Sequence, residues 1–328
     1  MRIVSLFSGC GGLDLGFKRA GFKIVWANEF DRSIIPTFRK QFSKTELDSR
    51  SISDIDISDI PDADGIVGGP PCQSWSEFGS KRGIDDDRGK LFLRYVDIIE
   101  EKRPKFFLAE NVSGILAKRH YDALDRILAS LSSEYEVRME LLNAADFGVP
   151  QDRERVIFIG YRRDLKRAFD FSGVRRTKRT TLRDAIWDLR KSAVPAAVVG
   201  GRRNRANASL AVPNHEYFKG TYSPHYMSRN RVRGWDERSF TIQAGARHAP
   251  MHPQAPKMVS VGKDKFAFDG DESLYRRLSV RECARVQTFP DSFVFVYDDV
   301  ACGYKMVGNA VPVRMAKALA GAIKRDFS

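Results

Sequence analysis

Gly68-Gly69-Pro70-Pro71-Cys72-Gln73-Ser74-Trp75-Ser76 is the stretch on which the reading of this chain turns. The residues before it, Ala63-Asp64-Gly65-Ile66-Val67, form a short apolar run that reads as a buried strand. Two glycines and two prolines then stop the strand and stiffen the turn, which sets Cys72 on a constrained loop at the strand's C-terminal edge. In open α/β sheets ligands bind at that edge. A thiol placed there can act as a nucleophile once a neighbour helps it ionise. It can equally be a small buried residue after a turn, since free cysteine is among the most buried residue types. The stretch alone leaves the two readings level.

Outward from it, the first half alternates strands and helices. Arg2–Phe7 reads as a strand, 8–12 as a glycine-rich turn, and Leu13–Ala20 as a helix ended by Gly21. Phe22–Ala27 is a second strand closing on Asn28-Glu29, followed by a helix from about Arg32 to Gln41. After the cysteine loop, Gly89–Glu101 has helical apolar spacing (Leu91, Tyr95, Ile98 and Phe92, Val96, Ile99). Lys105–Ala109 is a strand ending at Glu110-Asn111-Val112; Tyr121–Leu131 is a helix, and Val137–Asn143 and Arg155–Tyr161 are strands. That order implies a mostly parallel sheet with helices on both faces.

Near Phe171 the character changes to basic, glycine- and proline-bearing sequence with little period, apart from a short helix at Thr181–Trp187. The domains expected are therefore 1–171, a loop-rich 172–290, and a returning segment 291–328 whose helix, Val313–Lys324, docks on the sheet.

The 328 residues are 42% hydrophobic, ample for a core, and no apolar run is long enough to span a membrane. The N-terminus reads as a first strand rather than a signal peptide. Four scattered cysteines at 10, 72, 283 and 302, with no Cys-x-x-Cys pair, give neither a disulfide framework nor a zinc site, so a reducing compartment, the cytoplasm, and no metal are expected. Net charge is +13, and residues 175–247 alone hold 16 Lys and Arg against 5 Asp and Glu. That concentration favours a polyanion, nucleic acid before membrane.

Phe7-Ser8-Gly9-Cys10-Gly11-Gly12-Leu13-Asp14 joins the first strand to its helix, and Glu29 follows the second strand. Such glycines let backbone approach a ligand, and the carboxylate suits ribose hydroxyls. Asp14 stands where a dinucleotide fingerprint needs glycine, so the pair favours an adenosine-bearing cofactor lacking a pyrophosphate and disfavours a nicotinamide oxidoreductase.

With these pieces, Glu110-Asn111-Val112 and Gln151-Asp152-Arg153-Glu154-Arg155 in order, the chain resembles the DNA cytosine-5 methyltransferases over nearly its whole length. Asp87–Phe92, Arg276–Arg285 and Gly303–Pro312 extend the resemblance. Pro213–Phe218 and Met227–Arg233 narrow it toward bacterial restriction-modification enzymes that recognise GGCC. The resemblance implies a Rossmann-like S-adenosylmethionine-dependent methyltransferase sheet with a smaller, loop-rich target-recognition domain. It implies Cys72 as the nucleophile at cytosine C6, Glu110 at N3, and Arg153 at O2, with Gln151 and Arg155 completing the catalytic set. Read alone, Glu110 suits a strand end that caps a helix, and Arg153 and Arg155 suit surface ion pairs. For S-adenosylmethionine it implies Phe7, Gly9, Gly11, Glu29, Phe30, Pro70 and Asn309. Where the family carries Gly-Asp-Ile, this chain has Ser51-Ile52, so either Ser51 or Asp54 is left to meet the adenine amino group.

A cytosine within a duplex cannot be attacked at C6 and must be flipped out. The Ser76–Asp87 loop, with Ser76 and Arg82, is the candidate to close over it, or a plain surface loop. Arginine is the commonest reader of guanine. Arg229, Arg231, Arg233 and Arg247 are therefore candidates for DNA contact, and the alternating three project to one face if the segment is an extended strand. The partner expected is double-stranded DNA, with no membrane partner. The chain acts as a monomer, and a cognate restriction endonuclease shares the site without needing to bind. The alternative within the family is a tRNA cytosine-5 methyltransferase, which shares the catalytic half; a non-catalytic DNA-binding homologue is disfavoured by the intact candidate site.

Overall fold

Residues 1–71, 87–201 and 203–328 are described by the computed structural model. Cys72, Ser76 and Arg82 lie outside the described residues.

Seven strands form the central sheet: β1 (Arg2–Leu6), β2 (Lys23–Asn28), β3 (Glu46–Asp48), β4 (Gly65–Gly68), β5 (Phe106–Val112), β6 (Tyr135–Asn143) and β7 (Glu154–Arg162). Their spatial order is β3-β2-β1-β4-β5-β7-β6. The first five are parallel, and β7 runs antiparallel between β5 and β6. Helices α1 (Gly12–Arg19), α2 (Ile35–Gln41), α3 (Asp87–Lys102) and α4 (Tyr121–Ser132) make the crossovers that parallel neighbours require. Between β6 and β7 the chain turns back through a short 3-10 turn without a crossover helix, so that pair is antiparallel.

Side chains alternate across the sheet with period two. Ile3, Phe106 and Leu108 pack with Leu13 and Phe17 of α1 and with Met315, Leu319 and Ile323 of the last helix. Val4, Leu6 and Phe107 face the other way, against Tyr95, Ile98 and Ile99 of α3 and Leu124 and Ile127 of α4. Strand order reverses at β1, whose neighbours are β2 and β4, so the loops leaving β1 and β4 lie side by side at the sheet's C-terminal edge.

Two boundaries differ from expectation by three residues, the others by one or two. The second helix starts at Ile35, after a turn at 32–34, with Pro36 in its first turn where a missing N–H costs nothing. Strand β5 runs through Glu110 and Asn111 to Val112, because Ile157, Val156 and Arg155 of β7 supply pairing partners. Glu110 is thus a strand residue, not a cap.

Beyond 171 the regular elements are short. Helices α5 (Leu182–Ile186) and α6 (Val280–Val286) each begin in a capping box, Thr181 with Asp184 and Ser279 with Glu282. Helices α7 (Val300–Asn309) and α8 (Val313–Asp326) follow. One apolar cluster joins Cys10, Ala27 and Phe38 to Leu182, Ile242, Cys283 and Tyr304, so this segment packs on the sheet domain. A smaller cluster of Tyr226, Val232, Met251, Met258 and Tyr275 gives 220–275 its own centre. Among the described residues no helix is long and apolar enough to cross a membrane.

Helix α8 lies against α1 so closely that a Cβ on Gly16 would stand 2.3 Å from the Ala316 Cβ and 2.7 Å from the Lys317 nitrogen. Gly16→Ala is therefore expected to lower unfolding free energy by about 1–3 kcal/mol despite alanine's better helix propensity, as read by urea denaturation.

Candidate active site

The β1–α1 turn is a cradle. Phe7, at φ +53°, and Gly9, at φ +57°, lift the chain into the left-handed region. The Ser8 N–H donates to the Asn28 carbonyl (3.0 Å) and the Gly11 N–H to that of Ser8 (3.0 Å), which ties the turn to the end of β2. A Cβ on Gly9 would meet nothing within 4 Å, so backbone there faces open space. Glu29 forms the far wall, its carboxylate accepting from the N–H groups of Gly9 (2.9 Å) and Asp31 (2.8 Å). Burial pushes that carboxyl above the usual range, against the pull of those two donors. Phe30 beside it is 59% exposed, a free aromatic face next to a hydroxyl-seeking carboxylate.

This geometry fits an adenosine-bearing cofactor: glycine backbone, a ribose-matched carboxylate and a stacking ring share one rim. Ser51 is half-buried at the start of a 3-10 turn and Asp54 is exposed at its end. Asn309 closes α7 with its side chain exposed. Asp14 lies fully buried in the first turn of α1. Burial pushes its carboxyl up to about 7, and the nearby Ser5 hydroxyl offsets only part of that.

Across the switch point, the turn after β4 meets β5. The Asn111 side-chain amide donates to the Pro70 carbonyl (3.4 Å), and a Cβ on Gly69 would stand 3.3 Å from Glu110 Oε2. Glu110 Oε1 pairs with Arg155 Nε at 2.7 Å, both side chains nearly buried. Register explains the pair. Arg155 lies opposite Val112, so it is the diagonal, same-face neighbour of Glu110. The structure thus brings together Glu110, Arg155 and the Gly69–Pro71 turn that directly precedes Cys72.

Arg153 is placed differently from the role the resemblance implied. It is 2% exposed, and its guanidinium donates to the carbonyls of Ile242 (3.0 Å), Gly308 (3.0 Å) and Ala310 (3.1 Å). It stands just before β7, its carbonyl accepting from the Ala144 N–H (2.8 Å), and its guanidinium serves these carbonyls while that of Arg155 pairs with Glu110. Gln151 is likewise internal. Its Oε1 accepts from the Ile242 N–H (2.7 Å) and its Nε2 donates to Gln287 Oε1 (2.8 Å). Gln287 in turn donates to the carbonyls of Val307 and Ala310.

Of the four basic-segment candidates, Arg229 and Arg247 are exposed. Arg231 is buried, donating to the carbonyls of Tyr226 (2.6 Å) and His225 (2.8 Å) with its guanidinium 4.7 Å over the Tyr226 ring. Arg233 is half-buried, 3.3 Å from Glu237 and 4.2 Å over Phe240. The three alternating arginines do not share a face, because the segment forms no strand; Val232 makes only an isolated bridge to Met251.

Sequence reasoning passed over Gln287 and Arg277. Arg277 donates to the carbonyls of Gly220 and Thr221 and stacks 4.3 Å from Tyr222, holding the stretch that leads into Met227–Arg233. A run of arginines in Arg276–Arg285 gave no sign of which would turn inward.

The pattern of the C-5 cytosine-specific DNA methylases matches residues 1–325. The chain is 53% identical to the type II methyltransferase M.NgoPII of Neisseria gonorrhoeae, covering 100% of this chain and 96% of the relative. It is 55% identical to the type II methyltransferase M.MthTI of Methanothermobacter thermautotrophicus, covering 100% and 98%. In fold it resembles the Entamoeba histolytica methyltransferase EhMeth (TM-score 0.70, 17% identity, 100% and 99% covered). The S. pombe Dnmt2 methyltransferase is similar at TM-score 0.68, 17% identity and the same coverage.

The buried Asp14 yields a pH dependence. With a folded pKa of about 7 against an ordinary 3.8, the folded state holds the proton that the unfolded state loses. Stability contributed by this residue therefore falls as pH rises from about 4 to about 7 and levels off above. Asp14→Asn is expected to gain on the parent over that window in urea unfolding at fixed ionic strength; a constant difference at all pH values would contradict it.

Proposed function

The chain belongs to the C-5 cytosine-specific DNA methylases, and we propose that it methylates C5 of the inner cytosine of GGCC in double-stranded DNA, guarding that site from a partner restriction endonuclease. The observation that carries the catalytic part is the Glu110–Arg155 pair at 2.7 Å beside the Gly69–Pro71 turn. Membership of the family and the methyltransferase fold imply S-adenosylmethionine as methyl donor. When bound, it supplies an electrophilic methyl group.

The residues of the cradle bind and orient that donor. Gly9 admits it close to backbone, Gly11, packed on the Phe42 ring, holds the turn in shape, Glu29 takes the ribose hydroxyls, and Phe30 stacks on the adenine. Ser51 or Asp54 meets the adenine amino group; Phe7, Pro70 and Asn309 complete the rim.

Cytosine C5 is a poor nucleophile, and Cys72 corrects this by adding its thiolate to C6. A bond forms between sulfur and C6, the ring electrons move toward N3, and C5 becomes able to take the methyl group. Glu110, on the face of β5 next to the cysteine turn, shares a proton with N3 and so holds the displaced charge. Arg155 orients the Glu110 carboxylate and reaches O2 of the ring. The C5 proton then leaves to water and the S–C6 bond breaks, returning Cys72. Arg153 and Gln151 act through Arg155 as positioning residues.

Flipping delivers the base to this pocket, with Ser76 and Arg82 on the loop that closes over it. Residues 172–290 serve as the target-recognition domain, between the catalytic residues 1–171 and the returning 291–328. Support for GGCC is the resemblance at Pro213–Phe218 and Met227–Arg233, together with exposed Arg229 and Arg247, whose side chains suit guanine edges. The enzyme works as a monomer on one strand at a time, in the cytoplasm, and shares its site with the endonuclease without binding it.

Bisulfite sequencing of a mixed-sequence duplex after incubation with S-adenosylmethionine, with tRNA in parallel, tests this. Methylation confined to the inner cytosine of GGCC is expected. Another DNA motif would overturn the specificity, and labelling of tRNA alone would overturn the substrate. Arg155→Ala is expected to lower kcat about 10²–10³-fold in a folded protein. Arg153→Ala instead takes the guanidinium donor from the Ile242 and Gly308 carbonyls, Ala310 keeping that of Gln287, and is expected to cost about 3 kcal/mol of stability. Thermal melts alongside turnover separate the two.

A further inference from the structure

Between Arg153 and Gln151 stands a residue that the reaction above does not use. Asp152 lies three residues before Arg155, yet its carboxylate faces the basic segment. Arg238 Nε donates to Oδ1 at 2.6 Å, and Arg233, whose Nη1 donates to Glu237 Oε1 at 3.3 Å, sets its Nη2 3.9 Å from Oδ2. Its backbone is fixed as well: the Asp152 N–H donates to the Ser239 carbonyl (3.0 Å) and the Thr241 hydroxyl to the Asp152 carbonyl (2.5 Å). The same carboxylate borders a cleft of about 240 Å³ whose other walls include Arg229, Asn230, Gln243 and His248. All four carry hydrogen-bonding groups suited to base edges or phosphate. A one-third exposed aspartate is the wrong charge for such a wall if tight DNA binding were its only task.

Resting on the DNA-methylase reading, we propose that Asp152 is a specificity-determining residue that sequesters Arg233 and Arg238 from non-target DNA. Any duplex brought to the cleft offers phosphates that compete with Asp152 for the two guanidinium groups, and it sets phosphate charge near the carboxylate. On non-target sequence nothing offsets the lost ion pairs. On the target, base-edge contacts in the cleft hold the duplex while Arg233 and Arg238 stay on Asp152, so the carboxylate weakens wrong complexes more than right ones. Because Asp152 is continuous with Arg155, the same contact sets recognition next to catalysis.

Asp152→Asn removes the charge and keeps the shape. Two readouts are needed: binding of a non-target duplex as a function of salt, and kcat/KM on target and single-mismatch duplexes. Non-target binding is expected to tighten about fivefold, the scale of one or two partly exposed ion pairs. The slope of log K against log salt steepens by about one for each arginine released to phosphate. Discrimination between target and mismatch falls by the same factor. Asp152→Glu, which keeps the charge, restores much of it, and Asp152→Asn placed on an Arg233→Ala/Arg238→Ala background leaves the slope unmoved. Equal losses on target and mismatch with an unchanged slope would overturn the inference and leave Asp152 a structural residue. If the parent enzyme methylates RNA alone, the DNA reading fails and takes this inference with it. If the parent methylates DNA and the Asn variant discriminates as well as the parent, only the inference fails.

Discussion

The buried guanidinium of Arg153 is the constraint on which the arrangement depends. Its donors reach three carbonyls from two distant stretches: Ile242 in the basic segment, and Gly308 and Ala310 at the end of α7. Gln151 and Gln287 repeat the same ties with neutral amides. A cation held away from water is costly unless its donors are satisfied, and carbonyls at chain turns need donors. Each need meets the other here. Gly308 shows how tight the joint is, since a Cβ there would lie 2.3 Å from the Gln243 carbonyl.

That knot fixes where β7 starts, and the start of β7 fixes Arg155. Two residues on from the knot, Arg155 faces Glu110 across the sheet, and Glu110 borders the turn that leads to Cys72. The cofactor cradle is tied to the same frame from the other side, because the Cys10 thiol donates to the Met306 carbonyl within α7 (3.4 Å). Burial raises the Cys10 thiol far above the ordinary range, which suits a structural residue and not a nucleophile. A single packed frame thus orients the glycine cradle, the Glu110 carboxylate and the basic segment.

Much of this was legible in the chain. Apolar periodicity located nearly every strand and helix of the sheet domain, since the central strands β1, β4, β5 and β7 are mostly buried and the helices that cover them have regular spacing of their own. The helix carrying Cys283 begins and ends where its apolar pattern does, at Val280 and Val286. What periodicity could not supply was the direction of long polar side chains. Arg153 and Arg155 are the same residue type two positions apart, and what separates their fates is the set of partners each guanidinium meets, the Ile242, Gly308 and Ala310 carbonyls for one and Glu110 for the other. The same limit applies to Arg229, Arg231 and Arg233. An extended strand would align them, but the segment's backbone follows the Tyr226–Met251 cluster instead, and Arg231 turns inward to cap carbonyls there. Inward and outward arginines look alike until the carbonyls they serve are placed.

The central claim is covalent attack by Cys72 on a cytosine held by Glu110 and Arg155. Its most direct test is mass spectrometry of the protein after incubation with S-adenosylmethionine and a GGCC duplex bearing 5-fluorocytosine at the inner position. Fluorine cannot leave C5 as a cation, so the final elimination is blocked and the sulfur–C6 bond persists. The account predicts a stable protein–DNA adduct that maps to the peptide containing Cys72, carries one added methyl group, and is absent from Cys72→Ser. An adduct on another residue, or methyl transfer to ordinary cytosine by Cys72→Ser at the parent's rate, would contradict it.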